Sequence, residues 1–199
     1  EKYANMWRIT DDFWDSWPLL VNMFERCEIW QRHVSEGCYP DCDMLPLGYI
    51  GKGFGHERYT NFTKDEQITM MTLWCIFRSP LMLGAELTKL DDWTMKLITN
   101  KKVLGLLSRS ADARQIMRNK AQAIWLSKDT TEDAYYLALF NLSDEARNIT
   151  IKPEELDMET FKAFEWEELW TGDILKGFDT IFEAQVPLHG ARLYKLKSN

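Results

Sequence analysis

The sequence predicts an α/β region followed by an all-β region, and two patterns carry that expectation. To about residue 112, short apolar runs alternate with stretches whose apolar residues recur at helical spacing, as in parallel βα units. Beyond it, short strand-like segments follow one another with turn residues between them, as in an antiparallel β-sandwich. The charged stretch from Arg114 to Lys120 is expected to hold the boundary, giving regions 1–112 and 113–199.

In the first region, Ala4 to Ile9 is short and apolar enough for a buried strand. Asp15 offers an N-cap, Pro18 suits a first helical turn, and Leu20, Met23, Phe24 and Cys27 share one helical face. A loop containing Gly37 and Pro40 leads to a second strand-like step, Asp43-Met44-Leu45. Asp65 is expected to start a second helix, with Ile68, Met71, Thr72 and Cys75 along one side and Pro80 as its stop. Leu81-Met82-Leu83 reads as a third strand, and Leu90, Trp93 and Leu97 mark a third helix ending near Asn100. Three βα units cannot close a barrel of eight, so they form either a small open layer or part of a larger barrel. In the second region, strands are expected at 123–126, 134–141, 148–151, 160–165 and 191–196. Residues 134–141 are apolar on both alternating sets, as in a central strand.

Composition narrows the function classes. A net charge of −7 and a pI near 5.1 argue against nucleic-acid or anionic-membrane partners, which need clustered Lys and Arg. No stretch approaches the roughly 18 consecutive apolar residues of a membrane helix. Cys38 and Cys42, with His33 nearby, lack a second pair to complete a zinc site. A local disulfide or two loop thiols is the expectation. Sequons at Asn61, Asn141 and Asn148 hint weakly at secretion.

Chemistry in parallel α/β folds gathers where a strand turns toward its helix. Residues 7–17 there pack three carboxylates, Arg8 and three tryptophans together. A carboxyl group beside indole rings loses solvation of its charged form, which suits a general acid. An arginine fork can orient such a carboxylate or hold a hydroxyl. Asp11 and Asp12 cannot both be caps, which leaves an acid at the strand end. The Asp41-Cys42-Asp43 step admits two readings: contact with a sugar hydroxyl, or chelation of a divalent cation in a nucleotide-sugar transferase. Gly51, Gly53 and Gly55 precede no clear helix and make no diphosphate cradle.

Trp7-Arg8-Ile9-Thr10-Asp11-Asp12-Phe13-Trp14-Asp15-Ser16-Trp17, followed by Pro40-Asp41-Cys42-Asp43-Met44-Leu45-Pro46-Leu47-Gly48, resembles glycoside hydrolase family 27. These are the melibiase-type α-galactosidases and α-N-acetylgalactosaminidases. The likeness continues through Arg78-Ser79-Pro80-Leu81-Met82-Leu83-Gly84, Ala138-Leu139-Phe140-Asn141-Leu142-Ser143-Asp144, Leu169-Trp170-Thr171-Gly172 and Val186-Pro187-Leu188-His189-Gly190. The resemblance implies the last three βα units of a (β/α)8 TIM barrel followed by a C-terminal antiparallel β-sandwich. It implies a retaining hydrolase of terminal α-linked galactose or N-acetylgalactosamine that needs no cofactor or metal. By motif position Asp12 matches the acid/base, and Arg8 the arginine that holds the glycone and the acid/base. Asp43 and Met44 match positions lining the sugar pocket, and Asp41 a carboxylate of the same loop. Asp11, Cys42 and Tyr39 depart from the family's usual small residue, Pro and Asn. The family's nucleophile lies on an earlier strand in a Lys-x-Asp context and has no match here. The chain is therefore expected to supply the acid/base half of a site, to be inactive alone, and to need the N-terminal half of the barrel. The rival expectation is a non-catalytic carbohydrate-binding or interaction protein on a degenerate hydrolase scaffold.

Overall fold

The computed structural model describes residues 3–52, 55–156, 163–176 and 181–198. Its first region opens with β1 (Met6–Arg8), α1 (Trp17–Trp30) and β2 (Tyr39–Asp41). β1 and β2 run parallel, Arg8 opposite Asp41. Tyr39 N–H donates to the Asn5 carbonyl at 2.8 Å and Ile9 N–H to that of Asp41 at 3.0 Å, so Pro40 falls where no donor is required. The second strand thus lies earlier than the 43–45 step. Within that step, Leu45 makes only a parallel bridge to Leu83, and the 81–83 run contributes only this bridge. A short hairpin, β3 (Tyr49–Ile50) and β4 (Arg58–Tyr59), follows, with no counterpart among the expected elements.

α1 buries Leu20, Met23, Phe24 and Cys27, the expected face. Its N-cap is Ser16, whose side chain makes no capping bond, so the cap expected of Asp15 is not made. α2 (Lys64–Phe77) begins one residue before Asp65 because Thr63 and Glu66 form a reciprocal capping box. It ends at Arg78, in left-handed conformation (φ 64°), just ahead of Pro80. The expected one-sided stripe understates this helix: Met70 through Phe77 are all buried. A helix apolar around its circumference needs neighbours on every side. α3 (Asp92–Ile98) is capped by Asp91, whose carboxylate accepts Thr94 N–H at 2.7 Å. Two short turns of helix, α4 (Lys101–Leu104) and α5 (Leu106–Arg109), complete the region.

The second region contains β5 (Ser110–Arg118), β6 (Gln122–Asp129), β7 (Ala134–Asn141), β8 (Arg147–Ile151), β9 (Ala163–Glu168), β10 (Ile174–Lys176), β11 (Phe182–Val186) and β12 (Ala191–Ser198). Six form an antiparallel sheet in the order β10-β9-β12-β7-β6-β5, and β8 pairs with β11 in a second layer. Most of the charged stretch 114–120 belongs to β5, an edge strand whose register shifts twice. Residues 160–162 of the strand expected at 160–165 lie outside the described residues.

Alternation explains why β7 is apolar throughout. Leu137 and Leu139 face the β8–β11 layer together with Ile124, Leu126, Ile149, Ile151, Phe182 and Val186. Tyr136, Ala138 and Phe140 face the opposite way, into the core holding α1 and α2. Both faces of the sheet are therefore covered. Phe24 meets Phe140 edge-on at 4.9 Å, and Phe77 meets Trp125 at 6.1 Å. Trp170 Nε1–H donates to Thr72 Oγ1 at 2.9 Å, so α2 is the shared wall of both regions.

Candidate active site

The site is assembled where β1 and β2 end side by side. Arg8 closes β1 and its Nη2 reaches two carboxylates: Asp12 Oδ1 at 2.8 Å and Asp43 Oδ2 at 2.5 Å. Asp43 Oδ2 also accepts Phe13 N–H at 2.7 Å, which ties the loop after β1 to the loop after β2. Asp43 sits at φ 74°, a left-handed conformation that aspartate tolerates better than most residues. Asp41 Oδ1 accepts Asp43 N–H at 2.8 Å and so holds that turn. Beneath it, Trp74 Nε1–H donates to the Asp43 carbonyl at 3.2 Å and Ser79 Oγ accepts Cys42 N–H at 2.9 Å.

Arg8, Asp12, Asp41 and Asp43 are thus gathered at one end of the strands. Their exposures differ. The Asp12 side chain is 80% exposed and that of Asp43 17%, whereas Asp41 is buried beneath them. Burial pushes the Asp41 carboxyl above its ordinary value; the Asp43 N–H and Arg8 oppose this, and the Asp43 charge reinforces it. Met44 is half-buried and lies against Gly84, where an added Cβ would stand 2.7 Å from its Sδ. Two of the three tryptophans expected beside Asp12 pack against other rings. Trp7 packs on Trp30 with ring centroids 5.8 Å apart, and Trp17 stacks on His189 at 3.9 Å.

Asp15 has a different task from capping. Its carboxylate is gripped by both terminal nitrogens of Arg58 and accepts Asn61 N–H at 2.6 Å. Burial pushes this carboxyl upward, but the Arg58 and Asn61 bonds outweigh it and hold the group below its ordinary value. The clamp fastens the β3–β4 hairpin to the loop carrying Asp12. Arg58 carries no sequence signal of this role, whereas Gly84, next to an apolar run, fits the rule that such a glycine marks close approach.

The cysteines are free thiols. Cys42 Sγ lies 3.6 Å from Cys27 Sγ in the core, and burial pushes the Cys27 thiol well up and that of Cys75 to about 12. Among the sequons, Asn141 is buried and its amide serves three backbone carbonyls, so it is closed to modification in the folded protein.

Comparison with known proteins follows this division. The family described as "Alpha galactosidase A" matches residues 1–109, and its "Alpha galactosidase C-terminal beta sandwich domain" matches residues 119–196. The chain belongs to glycoside hydrolase family 27. A GH27 β-L-arabinopyranosidase from Geobacillus stearothermophilus is 43% identical, with a TM-score of 0.91 over 98% of this chain and 45% of that one. A putative α-N-acetylgalactosaminidase from Bacillus halodurans is 40% identical, with a TM-score of 0.85 over 96% of this chain and 46% of that one. Alpha-galactosidase 3 of Arabidopsis thaliana is 26% identical over 98% of this chain and 44% of its own length. The chain thus spans a little under half the length of each of these relatives, and the fold is that of their partial TIM barrel and β-sandwich.

Proposed function

We propose that this chain supplies the acid/base half of the site of a retaining glycoside hydrolase. The observation that carries the reading is the single guanidinium of Arg8 holding an outward, exposed Asp12 at 2.8 Å and an inner Asp43 at 2.5 Å. Asp12 has the freedom to meet a leaving oxygen. Asp43 does not: one of its oxygens already accepts from Arg8 and Phe13 N–H, which suits a group that fixes hydroxyls rather than one that attacks carbon. A carboxylate from outside these residues, on the N-terminal half of the barrel, attacks the anomeric carbon. Asp12 gives its proton to the departing oxygen, then takes one from the water that releases the sugar. Arg8, Asp43 and Met44 line the glycone pocket, with Asp41 supporting them from below. No metal takes part.

The substrate is a terminal pyranoside of galacto configuration, α-galactoside or α-N-acetylgalactosaminide. A β-L-arabinopyranoside has the same ring stereochemistry without the hydroxymethyl group, and the Geobacillus relative extends the candidate set to it. The test is hydrolysis of the three para-nitrophenyl glycosides by the chain alone and by the chain joined to the N-terminal half-barrel of that relative. Activity is expected only in the joined protein. Asp12→Asn there should abolish turnover of natural glycosides while the activated aryl substrate keeps its first step. Hydrolysis by the chain alone, or natural-substrate turnover surviving Asp12→Asn, overturns the assignment.

A further inference from the structure

A cavity of about 610 Å³ lies apart from the Arg8–Asp12–Asp43 cluster, between the β3–β4 hairpin and the starts of α2 and α3. In parallel βα units helices start at the end where strands finish, so this cavity opens on the same end of the fold as Asp12. Its walls include Tyr59, Lys64, Gln67, Asp91, Asp92 and Trp93. Its size falls within the roughly 300–1,000 Å³ of small-molecule sites.

The lining selects a chemistry. Tyr59 is 60% exposed and is steadied edge-on by Tyr49 across the hairpin, with ring centroids 5.3 Å apart. Trp93 is fixed by its Nε1–H bond to Gln67 Oε1 at 3.0 Å, and the Gln67 amide is itself bonded to the Phe62 carbonyl at 2.9 Å. Two held aromatic rings, with buried Phe62 also on the wall, thus border a space whose polar groups come from Thr60, Thr63, Lys64, Gln67, Asp91 and Asp92. Asp91 spends one oxygen on the cap of α3, and Asp92 is exposed with no ion-pair partner among the described residues. Two carboxylates against the single cation Lys64 disfavour an anionic ligand. The Lys64 ammonium rests 4.9 Å from the Trp93 ring centre, on a long, exposed side chain that a ligand can move aside. Ring faces flanked by carboxylate acceptors and an ammonium donor suit an uncharged polyhydroxylated ring.

We infer that this cavity binds a neutral sugar unit of a longer glycan, at a place separate from the acid/base cluster. The wall carrying Tyr59 is fastened by the neighbouring Arg58 to Asp15, three residues beyond Asp12, so the two places are held in fixed relation. The inference extends the glycosidase reading to substrates longer than one sugar, and its own evidence is binding rather than turnover.

The experiment titrates the protein with a neutral α-galactotrisaccharide and with free galactose, read by calorimetry and by NMR shift mapping. The trisaccharide is expected to perturb Tyr59, Lys64 and Trp93. Tyr59→Ala should weaken its binding about three- to tenfold, as loss of one aromatic contact implies. Asp92→Ala, at an exposed position that leaves the core untouched, should weaken it as well. Trisaccharide binding that is unchanged in both Tyr59→Ala and Asp92→Ala, or shifts confined to Arg8, Asp12 and Asp43, overturns the inference. Binding that depends on Tyr59 and Asp92, with no hydrolysis in the joined protein, would sink the glycosidase reading and leave this site standing.

Discussion

Arg58→Met should destabilise the protein more than Asp15→Asn, the conservative change at its own partner. The Asp15 side chain is 2% exposed and that of Arg58 33%, so the two partners do not lose the same thing. Without Arg58 the carboxylate stays buried with the Asn61 N–H as its remaining outside donor. Removing one member of a buried pair costs roughly 3–5 kcal/mol; Arg58's partial exposure and the surviving Asn61 bond place the expectation near the low end, about 3 kcal/mol. Asp15→Asn keeps the shape and an acceptor and leaves Arg58 free to reach water, so about 1 kcal/mol is expected. Urea unfolding followed by tryptophan fluorescence measures both. The pH dependence has a definite sign. In the parent the Asp15 carboxyl is held below its ordinary 3.8, so its contribution is present above that value and is lost as pH falls through the lower folded value. In the Arg58→Met protein, burial acts with less opposition, so the carboxyl protonates at higher pH than in the parent and protonation relieves the stranded charge. The gap between parent and variant should be widest at pH 7 and narrow toward pH 3. Equal stability of parent and Arg58→Met at pH 7, or a gap that holds constant to pH 3, refutes the clamp.

Other expectations concern separate parts of the molecule. Asp129 is buried and accepts from Lys195 Nζ at 2.6 Å, Tyr136 Oη at 2.6 Å, and Thr131 N–H and hydroxyl; Asp129→Ala should cost about 3–5 kcal/mol in urea unfolding, and a loss under about 1 kcal/mol would contradict that. Gly84→Ala presses a methyl group on Met44, so in the joined enzyme KM should rise while kcat holds; a fall in kcat alone would show that Met44 does not contact the glycone. Activity of the joined enzyme should be unchanged by EDTA, and loss restored by a divalent cation would favour the transferase reading of Asp41 and Asp43.

Periodicity found several elements whose burial is one-sided or complete. The α1 face emerged from its spacing, and β7 from apolarity on both alternating sets. Two of the strands it missed do not advertise burial, whereas β11 was missed although its buried and exposed residues alternate. β5 reads as a charged connector because it is an edge strand, and β10 is exposed throughout. Asp43-Met44-Leu45 looked like a strand step, but the left-handed Asp43 breaks the extended run and leaves a single bridge, from Leu45 to Leu83. At the site, Arg8, Asp12, Asp41 and Asp43 were legible as a group because they follow two strand ends and match a family pattern. Asp15 was not, because its partners lie 43 and 46 residues away and capping is the commoner local use of such a residue. Nor could the sequence reveal that Trp7 and Trp17 turn to Trp30 and His189, since orientation of a side chain is decided by what packs behind it.

The position of α2 has a consequence for how this architecture can change. The same helix presents Trp74 to the turn that carries Asp43, and Thr72 and Phe77 to the sandwich. A loosening of β6 or β7 is therefore expected to reach the turn that carries Asp43 through this one helix. Recombining this sandwich with a different barrel would require recutting that helix on two sides at once. Sequence drift in the sandwich is then constrained by the precision the barrel end demands, even at positions far from any substrate.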